Sequence, residues 1–295
     1  MPPLASRAVA DRPAVKPGRH RLPPVYREVM TPARYEAHCS EIVAQTRHLA
    51  STVKDADLTV PVPSCPGWNL GQLLLHVAGA HRWVESIVRT RATEPVPDDL
   101  VNDVSGDIGQ GAAVLAGRLE EGAGRLADAL RAAGPHAEVW TVVPGESIGF
   151  WARRMTHETV VHRADAAQAV GADFTVDERV AADGLDEWMA FGSLPQVFEE
   201  APATRELLGP GATLQFHATD TAPGDGAGWL VDLTGDTITW RRAHEAAAVT
   251  VRGPLTGLLL AVYGRRPYPG TDVEILGDAR LFERWLDCVS YWLHE

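Results

Sequence analysis

The segment THETVVHR, residues 156–163, contains a His-Glu pair followed by a second histidine, and these residue types bind divalent metals. The zinc-protease signature H-E-x-x-H places its histidines four residues apart, on one face of a helix. Here His157 and His162 are five residues apart. Since a helix turns about 100° per residue, they point about 140° apart and cannot share an ion. Glu158 and His162, four residues apart, do project from one face.

A third ligand must come from another element, because a zinc site that keeps one position open for chemistry normally has three protein ligands. His76 is a candidate, since it lies on the apolar stripe of a predicted helix. The stripe also contains Leu73, Ala80, Trp83 and Ile87. If this helix faces the one with Glu158 and His162, the three side chains meet. The site suits zinc, with nickel, cobalt or ferrous iron as competitors.

Structural roles compete with each of these interpretations. A histidine on an apolar face is more often bonded to a backbone carbonyl than to a metal, and only the match with Glu158 and His162 favours the metal site. His157 is expected to pack or to support the site from outside the ligand set. Asp165, one turn after His162, is predicted to accept a hydrogen bond from an imidazole. Cys65, in a proline-rich turn, is more typical of a structural cysteine than of a nucleophile.

Composition narrows the class of protein. The chain has 295 residues, of which 45% are hydrophobic and 22% charged, and a formal net charge of −12. This acidic balance argues against nucleic-acid binding, which needs a basic face. No apolar stretch approaches the ~18 residues that span a bilayer, so we expect no membrane partner. The three cysteines show no C-x-x-C spacing, which fits a reducing cytoplasm.

Periodicity predicts four long helices, which together indicate a four-helix bundle. The first begins at the Thr31-Pro32 cap and the second follows a capping box of Asn69 and Gln72. The fourth is predicted over about 147–170, and the third over roughly 108–133, through Val114, Leu115, Leu119, Leu126 and Leu130. Residues 1–29 are rich in proline and arginine, and we predict a flexible extension there.

The remainder of the chain has a different pattern. A helix over about 177–191 is followed by short segments with strand character, among them ATLQFHAT, GWLVDLT, TITWRR and AAVTVRG. A helix near 255–263, a strand DVEILG and a closing helix from about 279 complete an α+β pattern. The predicted fold class is therefore α and α+β, with a bundle over residues 30–200 and a small α+β domain over 201–295.

Two blocks, VPSCPGWNLGQLLLHVAGAHRW and WARRMTHETVVHRADA, resemble those of the mycothiol-dependent maleylpyruvate isomerase family, within the broader DinB-like bundle superfamily. The later blocks GPLTGLLLAVYGRRP and VEILGDARLFERWL resemble the sterol-carrier-like C-terminal domain of many members. The resemblance implies that His76, Glu158 and His162 are the metal ligands. It also implies that mycothiol, a low-molecular-weight thiol, is bound at the metal.

That resemblance implies a reaction on a small-molecule electrophile. A divalent metal lowers the pKa of a bound thiol, and the resulting thiolate is the nucleophile. It either stays attached, as in S-transfer, or adds, allows rotation and leaves, as in cis-trans isomerisation. A generic transferase is slightly favoured over the named isomerase.

Arginines are the expected carboxylate-binding groups. Arg265 and Arg266, in the GRRP motif, are favoured over Arg153, Arg154 and Arg163 on the fourth helix. Together with Asp165, Arg265 and Arg266 form the predicted catalytic set. The predicted cofactor contacts are Trp83, Trp151 and Arg154.

Two other functions stay open. The bundle could be a non-catalytic metal scaffold whose second domain holds an apolar ligand. It could also be a metal-dependent hydrolase using bound water; Asp165 is then the only reserve general base once Glu158 is a ligand.

Overall fold

The computed structural model describes residues 30–106, 108–221, 227–265 and 273–290. The predicted flexible extension over residues 1–29 and the candidate Arg266 lie outside the described residues. Within the described ranges, no helix is both long enough and apolar enough to cross a bilayer. The predicted cytoplasmic location stays a prediction.

Four long helices fill the N-terminal half, as predicted. They are α1 (Pro32–Val53), α2 (Leu70–Thr90), α4 (Ala112–Ala133) and α5 (Ile148–Val170), with a short α3 (Asp99–Asn102) between α2 and α4. Both bonds of the predicted capping box are present: Gln72 N donates to Asn69 Oδ1 and Asn69 N donates to Gln72 Oε1. The N-termini of α1 and α2 were therefore predicted correctly from their capping residues.

The third long helix departs from the prediction in two ways. It begins at Ala112 and not near residue 108, because Gly111 has a φ of 88° that interrupts helical geometry. In addition, Val114, one of the apolar residues on which the helix prediction rested, is 44% exposed. Leu115 and Leu119 face the core instead, and Val114 lies one position, or about 100°, away from Leu115 around the helix.

The bundle is arranged so that α2 and α5 are neighbours. α1 packs against α4 and α5, while α2 packs against α4 and α5. Apolar residues from all four helices form the cores between them, with Ile42, Leu73, Leu126 and Trp151 among those fully buried. The helices carrying His76 and the Glu158–His162 pair therefore face each other, as the metal-site prediction requires.

The second part of the chain is α+β, as predicted. It contains α6 (Glu178–Phe191), α7 (Val197–Glu200), a 3-10 helix (Pro202–Leu207), β1 (Thr213–Ala218), β2 (Gly228–Asp232), β3 (Thr239–Arg242), β4 (Val249–Gly253), α8 (Leu255–Val262), β5 (Glu274–Gly277) and α9 (Ala279–Val289). The sheet order is β3-β2-β1-β4-β5; β1 and β4 are parallel and the other pairs antiparallel. Phe216, Trp229, Phe282 and Trp285 lie in its buried core.

Helix α6 joins the two parts of the chain. Asp186 accepts hydrogen bonds from Trp229 Nε1 and Arg242, which tie α6 to the sheet. One turn earlier, Asp183 binds Arg34 of α1 and Arg153 of α5. The helix also packs against α8. The boundary that we place near residue 200 stays a prediction, but α6 is in contact with both parts.

Candidate metal centre

Three side chains from α2 and α5 converge on one point. His76 Nε2 and His162 Nε2 each lie 3.1 Å from the same oxygen, Glu158 Oε1. One ligand atom from each residue lies within 4.8 Å of the others. The two imidazole rings are edge to face, with centroids 4.9 Å apart. The structure thus brings together the three residues that the sequence predicts as metal ligands.

The remaining ring nitrogens fix how the imidazoles are oriented. His76 Nδ1 lies 3.1 Å from the carbonyl oxygen of Val101, and His162 Nδ1 lies 2.8 Å from Asp165 Oδ2. Because a carbonyl or carboxylate oxygen only accepts, each Nδ1 is the donor. Each Nε2 therefore points toward Glu158, and it presents a lone pair when the ring is neutral. Such outer hydrogen bonds are typical of metal-ligating histidines.

Electrostatics keep the central carboxylate ionised. Burial alone would raise the pKa of Glu158, but His162, His76 and Arg154 outweigh it and hold the pKa well below its usual range. Burial would likewise lower the pKa of His162, yet the Glu158 and Asp165 carboxylates raise it well above the usual value. The cluster therefore favours positive charge next to Glu158 Oε1, which a divalent cation supplies.

The donor set fits a divalent transition metal. Two imidazole nitrogens and one carboxylate oxygen form a three-ligand site that leaves a position open. A second group, Cys65, His162 and Asp165, also has ligand atoms within 4.8 Å of one another. However, both oxygens of Asp165 are already bonded to the Arg265 guanidinium, at 3.0 Å each. That positive charge disfavours a cation there, so His76, Glu158 and His162 are the better candidate ligands.

Asp165 accepts hydrogen bonds from several side chains in addition to His162. Besides His162 and Arg265, it accepts a hydrogen bond from Ser64 Oγ at 2.6 Å and one from Cys65 Sγ at 3.5 Å. The side chain is fully buried. Burial opposes its ionisation, but Arg265 and His162 hold the pKa of Asp165 below its usual range. Asp165 is thus a fixed acceptor that links the bundle to the loop after α8.

Arg154 forms a second polar network beside the site. Its Nη2 donates to Glu158 Oε2 at 3.4 Å, and its Nη1 donates to Glu187 Oε2 and, at 3.3 Å, to the hydroxyl of Tyr263. Burial raises the pKa of Tyr263 to about 12, although Arg154 opposes the shift. Glu187 and Tyr263 were not predicted from the sequence, because Glu187 lies in α6 and Tyr263 directly after α8, and no spacing relates either of them to α5.

A cavity of about 660 Å³ opens over these groups. It is lined by all three candidate ligands and by the predicted contacts Trp83, Trp151, Arg154 and Arg265. Cys65 also lines it. Trp68 packs on His76 with centroids 4.9 Å apart. The cavity lies where the bundle meets the α+β part, since Tyr263 and Arg265 follow α8.

Other candidates lie elsewhere. His157 is buried and bonds through Nε2 to Asp183 at 2.6 Å, on a different side of α5 from Glu158. Arg153 binds the same carboxylate. Arg163 donates to the carbonyl oxygen of Thr175 and packs over Phe174. These three side chains support packing between α5 and its neighbours and do not line the cavity.

Comparisons with known proteins agree with this arrangement. A family model described as the mycothiol maleylpyruvate isomerase N-terminal domain matches residues 39–167, and one described as the C-terminal domain of the same family matches residues 179–284. A search of curated proteins finds no match.

Two solved structures share the fold. One is a crystal structure of the mycothiol-dependent maleylpyruvate isomerase and the other is a histidine-to-alanine mutant of it, with TM-scores of 0.52 and 0.51. Each is 18% identical and covers 81% of this chain and 92% of its own.

Proposed function

Because the chain belongs to the mycothiol-dependent maleylpyruvate isomerase family, we propose that it is a metal- and mycothiol-dependent enzyme acting on a small electrophile. The observation that carries this proposal is the placement of His76 Nε2 and His162 Nε2, both 3.1 Å from Glu158 Oε1, in the cavity wall. Family membership indicates that the thiol is mycothiol, and the three side chains would hold the metal that activates it.

His76, Glu158 and His162 would hold the metal, for which zinc is the expected ion. A divalent metal, when bound, lowers the pKa of a coordinated thiol so that the nucleophilic thiolate is present at neutral pH. The contribution of this chain is to hold three ligands on two rigid helices and leave one position facing the cavity.

Surrounding residues orient the ligands. Val101 and Asp165 fix the two imidazoles through their Nδ1 atoms. Arg154 binds Glu158 Oε2 and so leaves Oε1 directed at the imidazoles. The side chains of His76, Glu158 and His162 are only 13%, 22% and 9% exposed. This restricted access keeps bulk water from competing at the site and strengthens its electrostatic interactions.

The thiolate can act on the electrophile in two ways. In S-transfer it stays attached to the electrophilic carbon. In cis-trans isomerisation it adds to a double bond, the remaining single bond rotates, and the thiol leaves. Both need the same activated sulfur, and the family description supports isomerisation.

Two alternatives are less well supported. A hydrolase using bound water needs a general base, and Asp165, the candidate that the sequence offers, is already bonded to Arg265, Ser64 and His162. A non-catalytic scaffold needs no cavity over the metal ligands, whereas here one of about 660 Å³ lies over them.

The test is turnover of diethyl maleate with and without mycothiol, in zinc-loaded and chelator-treated protein. We expect zinc-dependent production of diethyl fumarate or of the mycothiol conjugate, and the product distinguishes isomerisation from S-transfer. Zinc-dependent hydrolysis of the ester without mycothiol would favour the hydrolase, and no turnover of any kind would favour the scaffold.

A further inference from the structure

The charge of Arg265 is already neutralised by a buried carboxylate. Its Nε and Nη2 bond to the two oxygens of Asp165, each at 3.0 Å, and its Nη1 donates to the carbonyl oxygen of Tyr263 at 2.7 Å. The Asp165 side chain has no exposed surface. The two-pronged edge of the guanidinium that would bind a substrate carboxylate is therefore occupied.

The guanidinium of Arg154 is likewise already bonded to carboxylates. Its two terminal nitrogens reach Glu187, Tyr263 and Glu158. The Glu187 side chain is only 3% exposed. A substrate carboxylate would have to displace a buried carboxylate from the guanidinium, which would leave that carboxylate desolvated and unpaired.

Counting charges shows that the cavity already has an excess of negative charge without a charged substrate. Arg154 and Arg265 carry two positive charges, and Glu158, Glu187 and Asp165 carry three negative ones. A divalent ion and a thiolate together add one positive charge, which makes these five side chains neutral as a group. Asp98 and Asp287, which also line the cavity, add further negative charge. Among the described cavity-lining residues, both arginines are thus paired and both metal-site histidines are engaged. A dicarboxylate would bring two more negative charges into a cavity in which carboxylates are already in excess.

Aromatic side chains form much of the apolar surface beside the metal ligands. Trp68, Trp83 and Phe150 are half-buried in the cavity wall. Trp68 lies against His76, and Phe150 packs edge to face on Trp151 with centroids 5.0 Å apart. Such walls bury planar apolar groups favourably.

We infer that the electrophile of this site is an uncharged molecule with a planar, apolar body, and not a dicarboxylate. This inference rests on the proposed function, because it names the substrate class of the same cavity.

The first experiment compares two unreactive ligands built on the same aromatic ring, dimethyl phthalate and phthalate, by calorimetric titration of protein saturated with zinc and mycothiol. We expect the uncharged diester to bind at least tenfold more tightly than the dianion. Equal or tighter binding of phthalate would overturn the inference. So would phthalate binding that is lost on Arg266→Gln, because that arginine would then supply the missing positive charge.

The second experiment tests the pairing of Arg154 directly. Glu187→Gln keeps the side-chain shape but removes the charge that neutralises Arg154, so phthalate affinity should rise at least fivefold while diester affinity changes less than twofold. Glu206→Gln is the matched control, because Glu206 is 73% exposed and pairs with the surface Arg284. Unchanged phthalate affinity in folded Glu187→Gln protein would contradict the charge argument; if that variant does not fold, the wild-type comparison decides alone.

The aromatic wall is tested with Phe150→Ala, using Trp240→Ala in β3 as the control outside the cavity. The diester should lose at least fivefold in affinity in the first variant only, and more than mycothiol loses. A larger loss of mycothiol affinity would mean that these aromatic side chains bind the thiol, and would overturn this part of the inference.

Zinc-dependent mycothiol binding, measured in the same titrations, separates the two proposals. Its absence refutes the proposed function, whereas its presence together with a preference for phthalate refutes only the substrate class.

Discussion

Asp165 and Arg265 form a buried bidentate ion pair, with both N···O distances at 3.0 Å, between helix α5 and the loop after α8. The same carboxylate accepts a hydrogen bond from His162 Nδ1. A candidate metal ligand is thus oriented by a group that the C-terminal part of the chain holds in place.

Replacing Asp165 by Asn should weaken metal binding, because the amide is a poorer acceptor for His162 and no longer pairs with Arg265. Loss of such an outer contact typically costs ~10–100-fold in metal affinity. Competition with a chelator of known affinity measures this. Asp128→Asn, at a position 79% exposed on α4, serves as the control, and equal zinc affinity in the two variants would contradict the role of Asp165.

Arg265→Lys should preserve zinc content but lower kcat with diethyl maleate, because a less firmly held Asp165 orients His162 less well. Lysine keeps the positive charge but lacks the planar fork that bonds both oxygens of Asp165. Steady-state kinetics beside elemental analysis of the same preparation tests this. Wild-type kinetics in the lysine variant would show that the bidentate geometry is dispensable, and loss of zinc would place Arg265 in support of the metal site alone.

His157→Ala should retain zinc, whereas His162→Ala should lose it. The two histidines flank Glu158 in sequence, but only His162 points at its carboxylate, while His157 bonds to Asp183. Elemental analysis of both purified variants decides the helical register. Zinc loss in folded His157→Ala protein would mean that the assigned face of α5 is wrong.

Acidic pH should destabilise the fold partly through His38. Burial lowers the pKa of this histidine to about 4. Since the folded-state pKa lies below the unfolded one, the stability contribution is present above about pH 6.5 and is lost as the pH falls toward 4. The shift corresponds to up to ~3 kcal/mol in the free energy of unfolding.

Urea unfolding at pH 7 and pH 5 measures this loss. His38→Gln should be less sensitive to acid than the wild type, while His48→Gln, at an exposed position of the same helix, should match the wild type. Identical pH dependence in His38→Gln and wild-type protein would exclude this histidine as a cause.

Sequence patterns predicted those parts of the molecule that depend on local spacing. The helix caps at Thr31 and Asn69, the shared face of Glu158 and His162, and the five strands all follow from periods of about 3.6 or 2 residues. The resemblance to a known family implied the three metal ligands, which can meet only if α2 and α5 face each other.

Contacts between distant elements were harder to predict. The ion pair of Asp165 and Arg265 joins residues that are 100 apart in sequence. The ion pair of Arg154 and Glu187 joins α5 to α6. No periodicity relates such residues, because their meeting is set by how α6 and α8 pack on the bundle. The predicted start of α4 was also too early, because the apolar pattern extends N-terminal to Gly111, whose backbone is not helical.

The central claim is that His76, Glu158 and His162 bind a divalent metal that in turn binds mycothiol. The most direct measurement is zinc content by elemental analysis, with calorimetric titration of mycothiol, on wild-type protein and on His76→Ala, Glu158→Gln and His162→Ala. We predict one zinc ion per chain and zinc-dependent mycothiol binding in the wild type, and loss of both in each folded variant. Full zinc content in any of the variants, or mycothiol binding that persists without metal, would contradict the account.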